Sequence, residues 1–293
     1  MKLFSPTLFF LFTTTFLFSQ FRFPELSPKG SITQRVGFTT ISVAYERPAA
    51  RGRKIFGGIV PYKKLWRTGA GYCTKIKFSD SVRINGKSIR AGTYSLFTIP
   101  DVNEWTIILN SDSSLYATDG YDALKNVVKF TTPILKSTRY YESLTIDIDV
   151  VPNNAMIYIG WEKTLVSFKV ETSTERKVKD FIEQMLLTGK SKNADDYATA
   201  AEYFLFLNKE LDKSLILVNK AIAQDPKSGW SYGLRVDILE KQEKYPEAIL
   251  AAQAMLEFNQ TYGKEIGWDA EQQRNAANDG EAKIAVLKKK MKK

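Results

Sequence analysis

The residues best suited to chemistry lie in one stretch, ERPAARGRKIFGGIVPYKKLWRTGAG, from Glu46 to Gly71. Arg47, Arg51, Arg53, Lys54, Lys63, Lys64 and Arg67 fall within 21 residues that contain no carboxylate. Planar guanidiniums match oxyanions bidentately, so two or three of these arginines could converge on a phosphate, sulfate or carboxylate. Tyr62 and Trp66, with Tyr94 farther along, could supply ring faces for a sugar or a peptide. The alternative is that Arg47 and Arg67 pin the loop by donating to its own carbonyls, while Lys63 and Lys64 are solvated. Gly52, Gly57, Gly58, Gly69 and Gly71 fit no phosphate-loop spacing and precede no helix, which argues against a nucleotide site.

Other chemistry is narrowly bounded. The 293 residues include no histidine, which removes the commonest general base and metal ligand together with every triad that contains one. Cys73 is the only cysteine; it cannot form an intramolecular disulfide, and beside Lys75 but without a His partner it reads as an inert buried thiol. Asp119 and Asp122 flank Gly120-Tyr121 and fall short of a calcium loop, so they read as turn residues. The sequence therefore offers no catalytic residue, metal or cofactor. An enzyme built from it would need a carboxylate pair, a lysine base or an activated Cys or Tyr.

The elements that must position the basic stretch are strands. From about residue 28 to 170, short alternating segments separated by turn residues predict nine or ten strands in two sheets of an antiparallel all-β sandwich. Ile32–Val36 and Thr39–Tyr45 pair around Gly37, and Asn85-Gly86 supplies a two-residue hairpin turn after Val82–Ile84. Leu144, Ile146, Ile148 and Val150 alternate with Thr145, Asp147 and Asp149, which places the carboxylates on an outer face. Met156–Trp161 and Leu165–Val170 close the set as two further strands. The stretch from Glu46 to Gly71 has no alternation and is expected to be a long ordered loop.

The pattern then changes to helix. Thr172 and Glu175 stand at capping-box spacing before the stripe Val178, Phe181, Ile182, Met185 and Leu186, which Gly189 ends. Beyond it the sequence repeats at 34 residues, pairing Leu205 with Leu239, Ser214 with Ala248 and Val218 with Ala252. With small residues at Ala201, Ser214 and Ala221 and Pro226 after the second helix, this part resembles the tetratricopeptide repeat. The second copy departs from the pattern at Arg235 and Gln260. Two hairpins are expected, covered by the helix ending near Leu187 and a last helix from about Trp268 to Leu287, with the lysines beyond it frayed.

At the start, Lys2 followed by the apolar run Leu8–Phe18 and the small Ser19 fits a signal peptide cleaved before Gln20. The expected organisation is a signal peptide at 1–19, a sandwich at 20–171 and an all-α, tetratricopeptide-like domain at 172–293, with export to the periplasm or beyond. Between Gln20 and Val170, 21 Lys and Arg face 12 Asp and Glu, a net of +9, whereas the remainder is balanced. An exported basic domain with no nucleic-acid-binding motif points to an anionic surface or a glycan, not to nucleic acid. No membrane span is expected in the mature chain.

RGRKIFGG, LWRTGA and GTYSLFTIP, with EWTIILN and the closing WEKTLVSFKV, resemble the domain-of-unknown-function 2911 family over roughly residues 27 to 170. The resemblance implies an exported protein of the Bacteroidetes type, often with helical repeats attached, and carries no established activity. In many members of the family that it resembles, WRTGA is followed by Asn-Glu. This chain has Gly71, Tyr72 and Cys73 there, which leaves a role requiring that carboxylate without its group.

Three functions follow. The first is a non-catalytic binding protein, in which Arg47, Arg51, Arg53, Lys54, Tyr62, Trp66, Arg67 and Tyr94 bind an anionic or carbohydrate ligand and the helices recruit a protein. The second is a cell-envelope adaptor acting only through the helical repeats, around Tyr203, Leu205 and Tyr232. The third is a His-independent enzyme.

Overall fold

The computed structural model describes residues 23–292. The expected signal peptide lies outside the described residues. The chain divides into two compact units at Thr174/Glu175, three residues beyond the boundary expected from sequence, because the last strand runs through Thr172.

The first unit holds ten strands in two antiparallel sheets. They are β1 (Lys29–Val36), β2 (Thr39–Glu46), β3 (Thr74–Phe78), β4 (Val82–Ile84), β5 (Lys87–Ile89), β6 (Gly92–Pro100), β7 (Glu104–Asn110), β8 (Asn126–Pro133), β9 (Leu135–Val151) and β10 (Asn154–Thr172). One sheet has the order β1-β2-β3-β6-β7-β8 and the other β5-β4-β10-β9. Alternation sets the inner faces: Ile41, Val43 and Tyr45 on β2 meet Leu144, Ile146 and Ile148 on β9 within one core. Asn85 and Gly86 take φ of 47° and 76° and join β4 to β5 through the two-residue turn that an Asn-Gly pair favours.

Two expectations need correction. Met156–Trp161 and Leu165–Val170 form one strand, β10, which bulges around a left-handed Glu162 (φ 53°) and continues. Polar Glu162, Lys163 and Thr164 break the alternation without breaking the pairing. Val150, expected inside, is 47% exposed at the end of the edge strand β9, while Ala155 opposite it on β10 is buried.

A second cluster lies on the outer face of the six-stranded sheet. Phe97, Ile108 and Cys73 are buried there with Leu115, from the β7–β8 connection, which packs over the sheet.

The second unit is helical: α1 (Thr174–Phe181) continuing into a π-turn (Ile182–Leu186), α2 (Ala194–Leu207), α3 (Leu211–Gln224), α4 (Gly229–Lys241), α5 (Tyr245–Tyr262) and α6 (Ala270–Met291). Thr172 does not occupy the helical cap. It ends β10, and its hydroxyl accepts the Thr174 N–H. The period of 34 is structural, since Ser214 and Ala248, and Val218 and Ala252, are all buried. Ser214 Oγ donates to the Ala201 carbonyl at 2.6 Å, tying α3 to α2. Asp269 and Gln272 form a capping box on α6.

Lys288, Lys289 and Lys290 are helical rather than frayed. Lys290 reaches Glu240 Oε1 at 2.8 Å, and Lys283 bonds both Glu240 Oε2 (2.6 Å) and Asp237 (2.9 Å), so α6 is strapped to α4. Burial alone would raise the Glu240 carboxyl, but hydrogen bonds from Lys283 and Lys290 outweigh it and hold the group below the usual glutamate value. Replacing Glu240 with Ala should lower the stability of the helical unit by about 1–2 kcal/mol and speed hydrogen exchange in α6. A carboxyl lowered in the folded state stabilises above the free-glutamate pKa and loses that contribution as pH falls through the lowered value. The difference in exchange between wild type and E240A should therefore close in acid.

Candidate functional site

The expected long loop is present and spans one end of the sandwich. Where β2 ends, the chain leaves its own sheet and bonds to β9: Ala50 N–H donates to Glu142 O (2.7 Å) and Leu144 N–H to Pro48 O (2.9 Å). It then passes over the core, burying Ala50, Ile55, Phe56 and Val60. At Trp66 it pairs with Thr98 of β6 in both directions, at 2.8 and 2.9 Å, before β3 begins. The loop thus closes the gap between the two sheets.

Four rings hold this closure. Phe56 packs edge-on to Trp105 with centroids 4.9 Å apart, and Trp66 stacks on Trp161 at 5.9 Å with 21° between planes. Trp66 and Phe56 belong to the loop, Trp105 to β7 and Trp161 to β10, so the cluster joins both sheets. Trp66 Nε1 donates to Gly69 O at 3.1 Å and Trp161 Nε1 to Glu142 O at 3.2 Å. Trp105, only 1% exposed, has no hydrogen-bond partner for its indole N–H among the described residues. Leaving such a donor unmet costs about 1–3 kcal/mol.

These placements revise the expected ligand set. Trp66 is buried in the cluster, and Tyr94 is buried against Phe78 with its hydroxyl donating to Arg90 O at 2.8 Å; neither offers a face for stacking. The arginines do not share one target. Arg47 donates to Leu144 O (3.2 Å) and Thr145 Oγ1 (3.1 Å), Arg51 to Leu26 O (2.8 Å), and Arg53 to Ala50 O (3.0 Å) and Ala49 O (2.7 Å). Arg67 is partly buried, and its Nε has no partner among the described residues. Lys54 is exposed. Of the expected set, Tyr62 alone lines the pocket described next.

That pocket, of about 520 Å³, opens beside the ring cluster, within the range of about 300–1,000 Å³ usual for small-molecule sites. Phe56 and Trp105 form its buried side, and Val102, Tyr62, Lys136 and Lys163 its exposed rim. Ser137, Thr164, Ile134 and Asp101 complete it. Tyr62 is placed by Gly57, whose φ is 75° and where a Cβ would lie 2.6 Å from the tyrosine ring. Lys136 stands opposite Thr164 across the β9–β10 ribbon. Neither Lys136 nor Lys163 has a carboxylate partner among the described residues, whereas Lys63 lies 4.0 Å from Asp101. Both lysines were legible only as surface charge, because nothing in their spacing relates them to Trp105.

The remaining candidates are not assembled into a site. Cys73 Sγ donates to Ala117 O at 2.9 Å. Burial pushes its thiol up to about 11, against smaller downward pulls from the Ser95 hydroxyl and the charges of Arg67 and Lys75. Asp122 caps a short 3-10 turn, accepting Leu124 N–H at 2.8 Å. In the helical unit, Tyr203 and Leu205 pack at the margin of the first hairpin's core, while Tyr232 stacks on Phe258 at 4.9 Å under the Arg235 guanidinium. Among the described residues no helix is long and apolar enough to cross a membrane.

Replacing Trp66 with Ala should cost about 3–5 kcal/mol, read as a lower urea midpoint for loss of the sandwich. Cys73, protonated at neutral pH, should alkylate slowly with iodoacetamide in the folded protein and rapidly in urea.

The family model described as Protein of unknown function (DUF2911) matches residues 27–170. No curated protein and no solved structure matches the chain. The match begins just before β1 and ends within β10, so it takes in the strands, the loop and the pocket, and the sandwich domain of this chain is similar to the DUF2911 family.

Proposed function

We propose that the protein is an exported, non-catalytic binding protein, whose sandwich takes a small anionic ligand in the pocket beside Trp105 and whose helices bind a protein partner. The observation that carries this reading is the pair Lys136 and Lys163, two ammonium groups without carboxylate partners on the rim of a pocket with an aromatic wall. Unpaired cations at a concave site raise the local concentration of anions. The net charge of +9 on the mature sandwich supports the same sign of ligand. The arginines, expected to form the site, serve it indirectly by fixing the loop that carries Phe56 and Tyr62. A non-catalytic role is supported by the absence of histidine from the sequence and by the raised thiol of Cys73. Phe206 and Leu250, 82% and 66% exposed on α2 and α5, are the apolar groups through which the helices would engage a protein.

The test is a thermal-shift and calorimetric screen of the mature chain against inorganic phosphate, phosphorylated sugars, uronic acids and peptidoglycan fragments. Saturable stabilisation is expected, and the K136E/K163E double variant should lose it while keeping the unliganded melting temperature. If no anion binds the folded chain, or if charge reversal leaves binding unchanged, the sandwich is a spacer and the helical adaptor reading replaces this one.

A further inference from the structure

The end of the sandwich that carries the pocket also gathers exposed apolar side chains. The start of β1, the β2–β3 loop and the β6–β7 and β8–β9 turns all lie at this end. Val102 is 64% exposed in the β6–β7 turn, and Ile59 and Tyr62 are 48% and 37% exposed in the loop. Leu26, 73% exposed just before β1, is held beside the loop by Arg51, whose guanidinium donates to its carbonyl at 2.8 Å. Backbone bonds fix the other positions: Lys63 N–H donates to Pro100 O at 2.8 Å, close to Val102, and Ile59 N–H to Lys54 O at 3.2 Å. Around these groups Lys54, Lys63, Lys64, Lys136 and Lys163 are all exposed. Only Lys63 of this set approaches a carboxylate among the described residues, Asp101 at 4.0 Å. The carboxylates nearby, Glu25, Asp101, Glu104 and Glu162, are outnumbered, and the net +9 of residues 20–170 gives the wider field the same sign.

Apolar tips within a ring of lysines fit either an acidic protein or an anionic bilayer, and the residue types favour the bilayer. Protein interfaces are depleted of lysine and enriched in arginine, whereas Arg47, Arg51 and Arg53 of this loop are tied to carbonyls and a threonine hydroxyl. At a bilayer the lysine stems lie along the apolar layer while their ammonium groups stay in the headgroup region, where anionic lipids attract each of them. Apolar groups on separate turns enter a fluid layer independently, and a tyrosine suits the boundary between headgroups and acyl chains. We infer that this end of the sandwich docks on an anionic lipid bilayer, with Leu26, Ile59, Tyr62 and Val102 entering the interface and the lysines resting among the headgroups. The inference goes beyond the pocket reading and requires no soluble ligand.

The test is co-sedimentation of the mature chain with vesicles of mixed phosphatidylglycerol and phosphatidylcholine, and with vesicles of phosphatidylcholine alone. The anionic vesicles should bind at least about tenfold more tightly, and added salt should weaken that binding by screening the exposed charges. The I59S/V102S variant should bind about tenfold more weakly and keep the melting temperature, because both side chains are exposed. Since the whole domain is basic, two charge reversals of equal size locate the contact. K54E/K64E should lose binding, whereas K77E/K87E, at exposed lysines toward the opposite end of the sheets, should keep most of it. Equal loss in the two reversals, binding indifferent to I59S/V102S, or no preference for anionic vesicles overturns the inference. Binding of poly-L-glutamate that depends on Lys54 and Lys64, with no binding of vesicles, overturns it in favour of an acidic protein. None of these outcomes bears on the binding of inorganic phosphate, so the pocket reading is decided separately.

Discussion

The sandwich depends on closing one end between its two sheets. Two sheets packed face to face leave their core open where strands stop, and here the opening faces Trp105 on β7 and Trp161 on β10. The β2–β3 connection brings Phe56 and Trp66 into that space, and the four rings pack edge-to-face and stacked with centroids 4.9–6.2 Å apart. Such contacts add to burial by fixing ring orientation. Everything else at this end, including the course of the loop, the seat of Tyr62 and the pocket, is set by where those rings lie.

The division of labour between arginine and lysine follows from the same closure. A loop that crosses from one sheet to the other leaves carbonyls on both sides of the crossing that strand pairing does not satisfy. A guanidinium can reach several acceptors from one stem and remains charged at any ordinary pH, so Arg47, Arg51 and Arg53 are used on carbonyls and a threonine hydroxyl. Lysine is a hydrated point charge and gains less from such work. The positive groups left facing solvent at the pocket are accordingly lysines, and they come from β9 and β10, not from the loop.

This explains which parts were legible in the sequence. Alternation at Ile41, Val43 and Tyr45 and the Asn85-Gly86 turn specify the sheets locally, and a repeat of 34 with small residues at Ser214 and Ala248 specifies the helical hairpins. The long loop was readable from its glycines, prolines and lack of alternation. Its role was not, because whether an arginine meets a ligand or a carbonyl depends on β9, about 90 residues away. Trp66 looks like a binding ring for the same reason that it is a core ring: in a polar, glycine-rich stretch nothing local says which side of the loop is inside. Lys136, Lys163 and Trp105 are brought together only by the bulged β9–β10 ribbon, and the bulge at Glu162 interrupts the pattern through which it might have been read.

The ring cluster also bears on why a donor is left unmet. Trp161 and Trp66 find acceptors in Glu142 O and Gly69 O, both on segments that the closure itself places. Trp105 is held on its strand by pairing with Pro100 and Thr132, and its neighbours in the cluster are rings, which provide no oxygen. Phenylalanine at this position would pack against the same rings without the cost of an unpaired N–H, so packing alone does not account for an indole.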